Sequence, residues 1–113
     1  MHELSLVESI IESVEHDARS RGIKKITRLR VVAGELASVN HRALSFALEN
    51  VVGGTFLEQA DIELAVKEAW ESCPVCQQKF KPEPPFYQCP ECGKTVFPSS
   101  ENRQVYIDFY EGE

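Results

Sequence analysis

Four cysteines, the only ones in the chain, form two Cys-Pro-x-Cys motifs with twelve residues between them. The motifs are Cys73-Pro74-Val75-Cys76 and Cys89-Pro90-Glu91-Cys92. Each motif predicts a tight turn, or knuckle, on which two sulfur atoms converge. Two facing knuckles supply the four thiolates of a tetrahedral structural zinc site. Because four sulfur ligands close the coordination shell, such a metal keeps no open position for catalysis.

Paired Cys-x-x-Cys motifs also occur in disulfide-bonded domains, redox proteins and iron sites. Two disulfides are typical of small secreted domains, but residues 1–30 show no positively charged segment followed by an apolar run, so no signal peptide is predicted. A redox Cys-x-x-Cys pair normally stands alone at the start of a helix, whereas here two copies face each other. Rubredoxin-type iron suits the same four sulfurs, and their spacing leaves zinc and iron open.

A second group with metal-binding chemistry lies at the start of the chain, where His2 follows Met1. Aminopeptidases remove Met1 efficiently only before a small residue, so we expect Met1 to stay. The terminal amine, the His2 amide and the His2 imidazole then lie on fused chelate rings, and the Glu3 amide completes a plane of nitrogens. Such planar nitrogen sites suit Ni(II) and Cu(II). A second-position histidine is also a common accident of an exposed terminus. The other histidines, His16 and His41, are expected to be solvated surface residues.

Length and charge limit the classes of function. The chain has 113 residues and a net charge of -6, with room for one small core and a metal module. This acidic balance disfavours binding to nucleic acid or to an anionic membrane. The apolar runs are too short to span a bilayer. Reduced thiols and the lack of a predicted signal peptide favour a cytoplasmic location.

The hydrophobic pattern predicts an α+β fold, a small three-stranded sheet with two helices, into which a zinc-ribbon module is inserted. The first helix ends before Gly22, a strand covers residues 26–33, and a second helix covers residues 41–52, capped by Asn40. Residues expected to be buried are Leu4, Val7, Ile10, Ile11, Val14, Ala18, Leu29, Val31, Ala33, Leu44, Ala47, Leu48, Val51 and Val52.

The second half of the chain divides around the cysteines. A strand with Ile62, Leu64 and Val66 facing inward leads into the first knuckle. A linker follows at residues 98–102, and residues 105–110 are expected to return and pair in the sheet. We therefore predict an α+β domain at residues 1–69, completed by residues 104–113, and a zinc-binding domain at residues 70–103. Its aromatic residues, Phe80, Phe86, Tyr87 and Phe97, are expected to pack around the knuckles.

The chain as a whole resembles the HypA/HybF family of hydrogenase nickel-incorporation proteins. The resemblance rests on Met1-His2-Glu3-Leu4-Ser5, Val32-Ala33-Gly34-Glu35-Leu36, Gly54-Thr55-Phe56-Leu57-Glu58 and the paired knuckles, in that order. It implies a nickel metallochaperone with Ni(II) held by Met1, His2 and Glu3, and zinc held by Cys73, Cys76, Cys89 and Cys92. It also implies delivery of nickel during maturation of [NiFe]-hydrogenase, and in some organisms of urease.

The partners that this resemblance implies are a nickel-handling maturation GTPase, the [NiFe]-hydrogenase large subunit and urease accessory proteins. The chain itself shows no catalytic constellation and no Gly-rich phosphate loop, so we expect a carrier and not an enzyme. Two alternatives remain. One is a zinc-ribbon adaptor that binds protein or nucleic acid without a second metal, and the other is a dithiol oxidoreductase.

Overall fold

The computed structural model describes the backbone of residues 2–113 and the side chains of residues 3–113. The elements in chain order are α1 (His2–Ser20), β1 (Ile26–Gly34), α2 (His41–Asn50), β2 (Asp61–Lys67), β3 (Glu71–Ser72), β4 (Lys79–Phe80), α3 (Ser100–Arg103) and β5 (Val105–Gly112). A three-stranded sheet has the order β2-β1-β5, and β3 and β4 form a second sheet of two strands. The α+β class, the two main helices and the returning last strand are therefore confirmed.

Main-chain hydrogen bonds fix the directions of the three long strands. Lys25 and Glu113 exchange bonds at the start of β1 and the end of β5, while Gly34 donates to Gln104 at the opposite end, so these strands are antiparallel. Glu35 donates to Lys67, which places the ends of β1 and β2 together. β1 and β2 are therefore parallel, and α2 lies in the crossover that such a pair requires.

One ion-pair network follows the strand order across the sheet. Arg30 on β1 contacts Glu63 on β2, with 2.6 Å between Nη1 and Oε2, and Asp108 on β5, with 3.0 Å between Nε and Oδ2. These bonds to the guanidinium raise the pKa of Arg30, Glu63 being the main cause. The three side chains are partly exposed, so solvent screens these pairs and each adds little to the stability of the fold.

The hydrophobic core lies between the sheet and the two long helices, which pack against each other. Its buried residues include Val7, Ile10, Ile11, Val14 and Ala18 of α1, Ile26, Leu29, Val31 and Ala33 of β1, and Leu44 and Leu48 of α2. Each buried Leu, Ile or Val side chain contributes about 1.5–3 kcal/mol relative to an exposed one. Asn40 caps α2 as predicted, because its Oδ1 accepts a hydrogen bond from the Ala43 amide at 3.0 Å.

Several local predictions are wrong. Leu4 and Val66 are exposed and do not belong to the core. α2 ends at Asn50, two residues earlier than predicted, and Ala47 and Val51 are only half-buried. The segment predicted as a linker contains the short helix α3. The hydrophobic period identifies which face of an element is apolar, but it does not show how far the covering elements extend.

The chain forms two compact units. The first comprises Met1–Val32, Val39–Ala65 and Tyr106–Glu113, and the second comprises Ala33–Ser38 and Val66–Val105. Within the described residues, no helix has both the length and the apolar character needed to cross a membrane.

Candidate metal centres

The two knuckles of the second unit have the same main-chain hydrogen bonds. In the first, the Gln77 amide donates to the Cys73 carbonyl at 2.9 Å, and the Cys73 amide donates to the Gln78 carbonyl at 2.9 Å. In the second, the corresponding bonds are Gly93 to Cys89 and Cys89 to Lys94, both at 2.8 Å. Two identical turns therefore present two cysteine pairs in the same way.

The four sulfur atoms form one cluster. All of them lie within 4.8 Å of one another. The Sγ atoms of Cys73 and Cys92 are 3.5 Å apart, as are those of Cys76 and Cys89. A zinc tetrahedron with bonds of about 2.3 Å has sulfur atoms about 3.8 Å apart, whereas a disulfide bond is about 2.05 Å long. The arrangement fits a four-sulfur metal site, and all four cysteines are free thiols in this structure.

The local electrostatics favour a bound cation. The Cys76 amide, opposed in part by burial, lowers the pKa of Cys73 to about 6. The Gln78 amide acts to lower the pKa of Cys76, but burial and the neighbouring thiols outweigh it and raise that pKa to about 12. The pKa of Cys92 is also raised, since the adjacent thiols outweigh the Lys94 amide. One thiolate therefore forms readily, but four together require a divalent cation.

A very small hydrophobic cluster supports the cysteines. Cys73 and Cys89 are buried together with Phe80 and Val96, whereas Cys76 and Cys92 are exposed. The antiparallel pair β3–β4 continues from the first knuckle, and a bridge between Gln88 and Thr95 continues from the second. The predicted packing around the knuckles is confirmed for Phe80. It is wrong for Phe86 and Phe97, which are 69% and 81% exposed.

A polar cluster joins the segments that lead into and out of this ribbon. The Glu71 carboxylate accepts hydrogen bonds from the Ser99 amide at 2.7 Å, from the Ser99 hydroxyl at 2.9 Å and from the Asn102 side-chain amide. Partial burial acts to raise the pKa of Glu71, but these donors outweigh it and lower that pKa. Gly34 packs here, where an added Cβ would lie 2.5 Å from the Asn102 carbonyl carbon. Only glycine permits that approach.

The knuckles differ at the residue that follows each motif, and this difference predicts a stability effect. Gln77 and Gly93 have φ angles of 67° and 77°, in the left-handed region that favours glycine. Gly93→Gln should destabilise the ribbon by about 1 kcal/mol, which is about a fivefold loss of zinc affinity. Gln77→Gly makes the reverse change at the matching turn, so it should leave zinc affinity unchanged or raise it, because relief of strain outweighs the extra freedom of the unfolded chain. Competition with a zinc chelator measures both. Equal losses in the two variants would contradict this reading of the turns.

The predicted nickel residues are described only in part. Met1 and the His2 side chain lie outside the described residues, while the backbone of α1 is described from His2. Glu3 is described, and its Oε2 accepts a hydrogen bond from the Asn40 amide at 3.1 Å. This bond is the main cause of the lowered pKa of Glu3. The first turn of α1 is thereby anchored to the residue that caps α2.

Residues 1–112 match the family model described as hydrogenase/urease nickel incorporation, metallochaperone, hypA. The chain belongs to this family. It is therefore a nickel metallochaperone of hydrogenase and urease maturation, and the family is not catalytic. A role in maturation implies partners from the same pathway.

Individual HypA proteins match over most of their length. The hydrogenase maturation factor HypA of Moorella thermoacetica is 35% identical over 113 residues, which cover all of both chains. That of Rhodobacter capsulatus is 38% identical over 95 residues, or 84% of each chain. The solution structure of the Ni metallochaperone HypA from Helicobacter pylori has a TM-score of 0.70 and 22% identity, and covers 97% of this chain and 96% of that one. This structural match supports the fold.

Proposed function

We propose that this protein carries Ni(II) on Met1, His2 and Glu3, and a structural Zn(II) on Cys73, Cys76, Cys89 and Cys92. The sulfur cluster supports the zinc assignment, because its distances suit a closed four-thiolate shell. Iron suits the same sulfurs, so a metal analysis of the purified protein separates the two. The zinc keeps the ribbon folded, and its closed shell of four thiolates leaves no open coordination position.

The proposed nickel ligands are the Met1 amine, the His2 amide and imidazole, and the Glu3 amide. The observation that carries this assignment is the hydrogen bond between Glu3 and Asn40, which holds the third residue of the chain in a defined position. The helical backbone of α1 also favours chelation by consecutive amide nitrogens. A chelate ring through consecutive amide nitrogens needs ψ near 0°, and the helical value of about -42° is closer to it than the extended value of about +135°.

We assign nickel binding to residues 1–69 together with the returning strand at residues 104–113, and zinc binding to residues 70–103. The proposed partners are a nickel-handling maturation GTPase, the [NiFe]-hydrogenase large subunit and urease accessory proteins, all met in the cytoplasm. The sequence contains no Gly-rich phosphate loop of its own, so GTP would be handled by that partner and not by this chain. A site at the chain terminus suits handover, since a partner can approach it from several sides.

Nickel affinity should fall steeply between pH 8 and pH 6, with more than one proton taken up per metal released. The ligands bind only when deprotonated, and the ordinary pKa values are about 7.7–8.0 for a terminal amine and about 6.5 for histidine. Competition titrations at several pH values measure this slope. A nickel affinity that does not change with pH would remove the amine, imidazole and amides from the site.

Two features of the chain should remain unchanged over that pH range. The Asn40 amide lowers the pKa of Glu3 below its ordinary value, so the bond between them persists over this pH range and is lost only in more acidic solution. Zinc should also be retained, because Gln77 and Gly93 follow the knuckles and no adjacent histidine offers an alternative ligand. Zinc content measured in the same titration is therefore the internal control.

A further inference from the structure

The last strand, β5, lies at an edge of the three-stranded sheet, and among the described residues no strand pairs with its outer side. The carbonyl of Glu111 and both main-chain polar groups of Glu113 bond to residues at the start of β1. Because successive peptide groups of a strand point to opposite sides, those of Tyr110 and Gly112 point to the open edge. β5 contains neither proline nor lysine, the residues that commonly protect such an edge from pairing with another chain.

A groove of about 640 Å³ borders this edge. Its lining includes six consecutive residues of β5, 107–112. Successive side chains of a strand point to opposite faces, so a space that contacts all six lies along the edge and not over one face. α1 forms the opposite wall, where the Asp17 carboxylate accepts hydrogen bonds from the Tyr110 hydroxyl and, at 2.9 Å, from Arg21 Nε. A groove beside an edge strand is where an extended peptide can add a strand to a sheet.

The charges around the groove indicate what it can hold. The charged residues that line it are Asp17, Arg21, Asp108 and Glu111. Arg28 and Arg30 on β1 approach two of these carboxylates, but both also pair with Glu63 on β2. Carboxylates therefore outnumber guanidinium groups here, and they favour a positively charged occupant. A second copy of β5 would instead bring like charges together across the new pair of strands, which is unfavourable.

We propose that β5 is a docking site for an extended, positively charged segment of a partner protein, which adds a fourth strand to the sheet. Main-chain hydrogen bonds to Tyr110 and Gly112 hold the segment, and its basic side chains meet the carboxylates of the groove. The half-buried side chains of Phe109 and Tyr110 offer apolar contacts beside them. The inference goes beyond the proposed function and does not depend on the nickel ligands, because it uses residues of β5 and of the end of α1.

The test uses a short peptide of alternating lysine and valine, a sequence that is basic and favours extended structure. It is titrated into the full zinc-loaded chain, and backbone amide shifts and hydrogen exchange are followed by NMR. The amides of residues 107–112 should shift, and exchange at Tyr110 and Gly112 should slow. The same peptide with every backbone nitrogen methylated keeps its charge but has no main-chain donor, so it should bind roughly tenfold more weakly or worse.

Two matched variants test the charge of the groove. Asp108→Asn removes a carboxylate that lines it and should weaken binding of the lysine peptide about threefold. Asp61→Asn removes an exposed carboxylate at the start of β2, on the other edge of the sheet, and should bind the peptide as the wild type does. Both changes are at exposed positions, so both variants should fold.

Several results would overturn the proposal. One is the absence of any shift in residues 107–112 at millimolar peptide. Another is equal affinity for the methylated peptide, since attraction between charges would then explain the binding without an added strand. Shifts confined to β2 would place the docking edge on the wrong side of the sheet. Self-association through β5 that the peptide does not displace, measured by sedimentation, would make a second copy of this chain the occupant.

Discussion

Replacing His2 by alanine is expected to abolish specific nickel binding while zinc content and helical structure stay unchanged. His2 supplies the imidazole that closes the chelate with the terminal amine and the amides. Loss of an outer partner of a metal ligand already costs about 10–100-fold in affinity, so loss of the ligand itself should cost about 100-fold or more. Calorimetric titration with Ni(II), together with zinc analysis and circular dichroism, measures the effect.

Two further variants make this experiment specific. In His2→Ala the small second residue permits removal of Met1, which changes the terminus as well as the imidazole. His2→Gln is therefore the better comparison, because its large side chain preserves Met1 and the terminal amine. His16→Ala controls for any contribution from an exposed histidine elsewhere on α1. His2→Gln with undiminished nickel affinity would remove His2 from the site.

Replacing Cys73 by serine should release zinc and unfold the ribbon. Structural zinc contributes about 10–16 kcal/mol of binding free energy in small zinc domains. Apart from its cysteines, the buried cluster of the ribbon contains only Phe80 and Val96, which cannot replace that contribution. Helices α1 and α2 should survive, because their buried residues belong to the first unit.

Metal analysis, circular dichroism and the fluorescence of Trp70, the only tryptophan in the chain, measure this outcome. Trp70 is half-exposed and lies three residues before Cys73, so it should report ribbon unfolding. Val75→Ala changes an exposed residue within the same knuckle and should keep zinc. Loss of all helical signal in Cys73→Ser would contradict the assignment of a separate zinc-binding domain.

The parts of the fold that were predictable from the sequence depend on local patterns. Helical periodicity identified Val7, Val14 and Ala18 as core residues, and the side chain of Asn40 marked the start of α2. The returning strand β5 was predictable because a lone alternating strand is unstable without a partner. The cysteine cluster was predictable for a related reason, since each knuckle is a short local turn.

The contacts that position the sites were not predictable in the same way. Glu3 meets Asn40 across 37 residues of sequence, and Glu71 meets Asn102 across 31. Hydrophobic periodicity does not predict such pairs, because each of these polar side chains, taken alone, occupies a position typical of a surface residue. Leu4 fits the apolar stripe of α1 but is exposed, because no other element among the described residues covers it. Together with the exposed Phe46 it lines an open groove.

The most direct test of the nickel assignment is a Ni(II) titration of the untagged chain beside the same chain with three alanines added before Met1, because a single added residue would place His2 third and rebuild a planar set of four nitrogens. The addition converts the proposed ligand amine into an amide and changes no side chain. The account predicts one tightly bound nickel per chain in the first protein and loss of that binding in the second, with equal zinc in both. Equal nickel affinity in the two proteins would contradict the account.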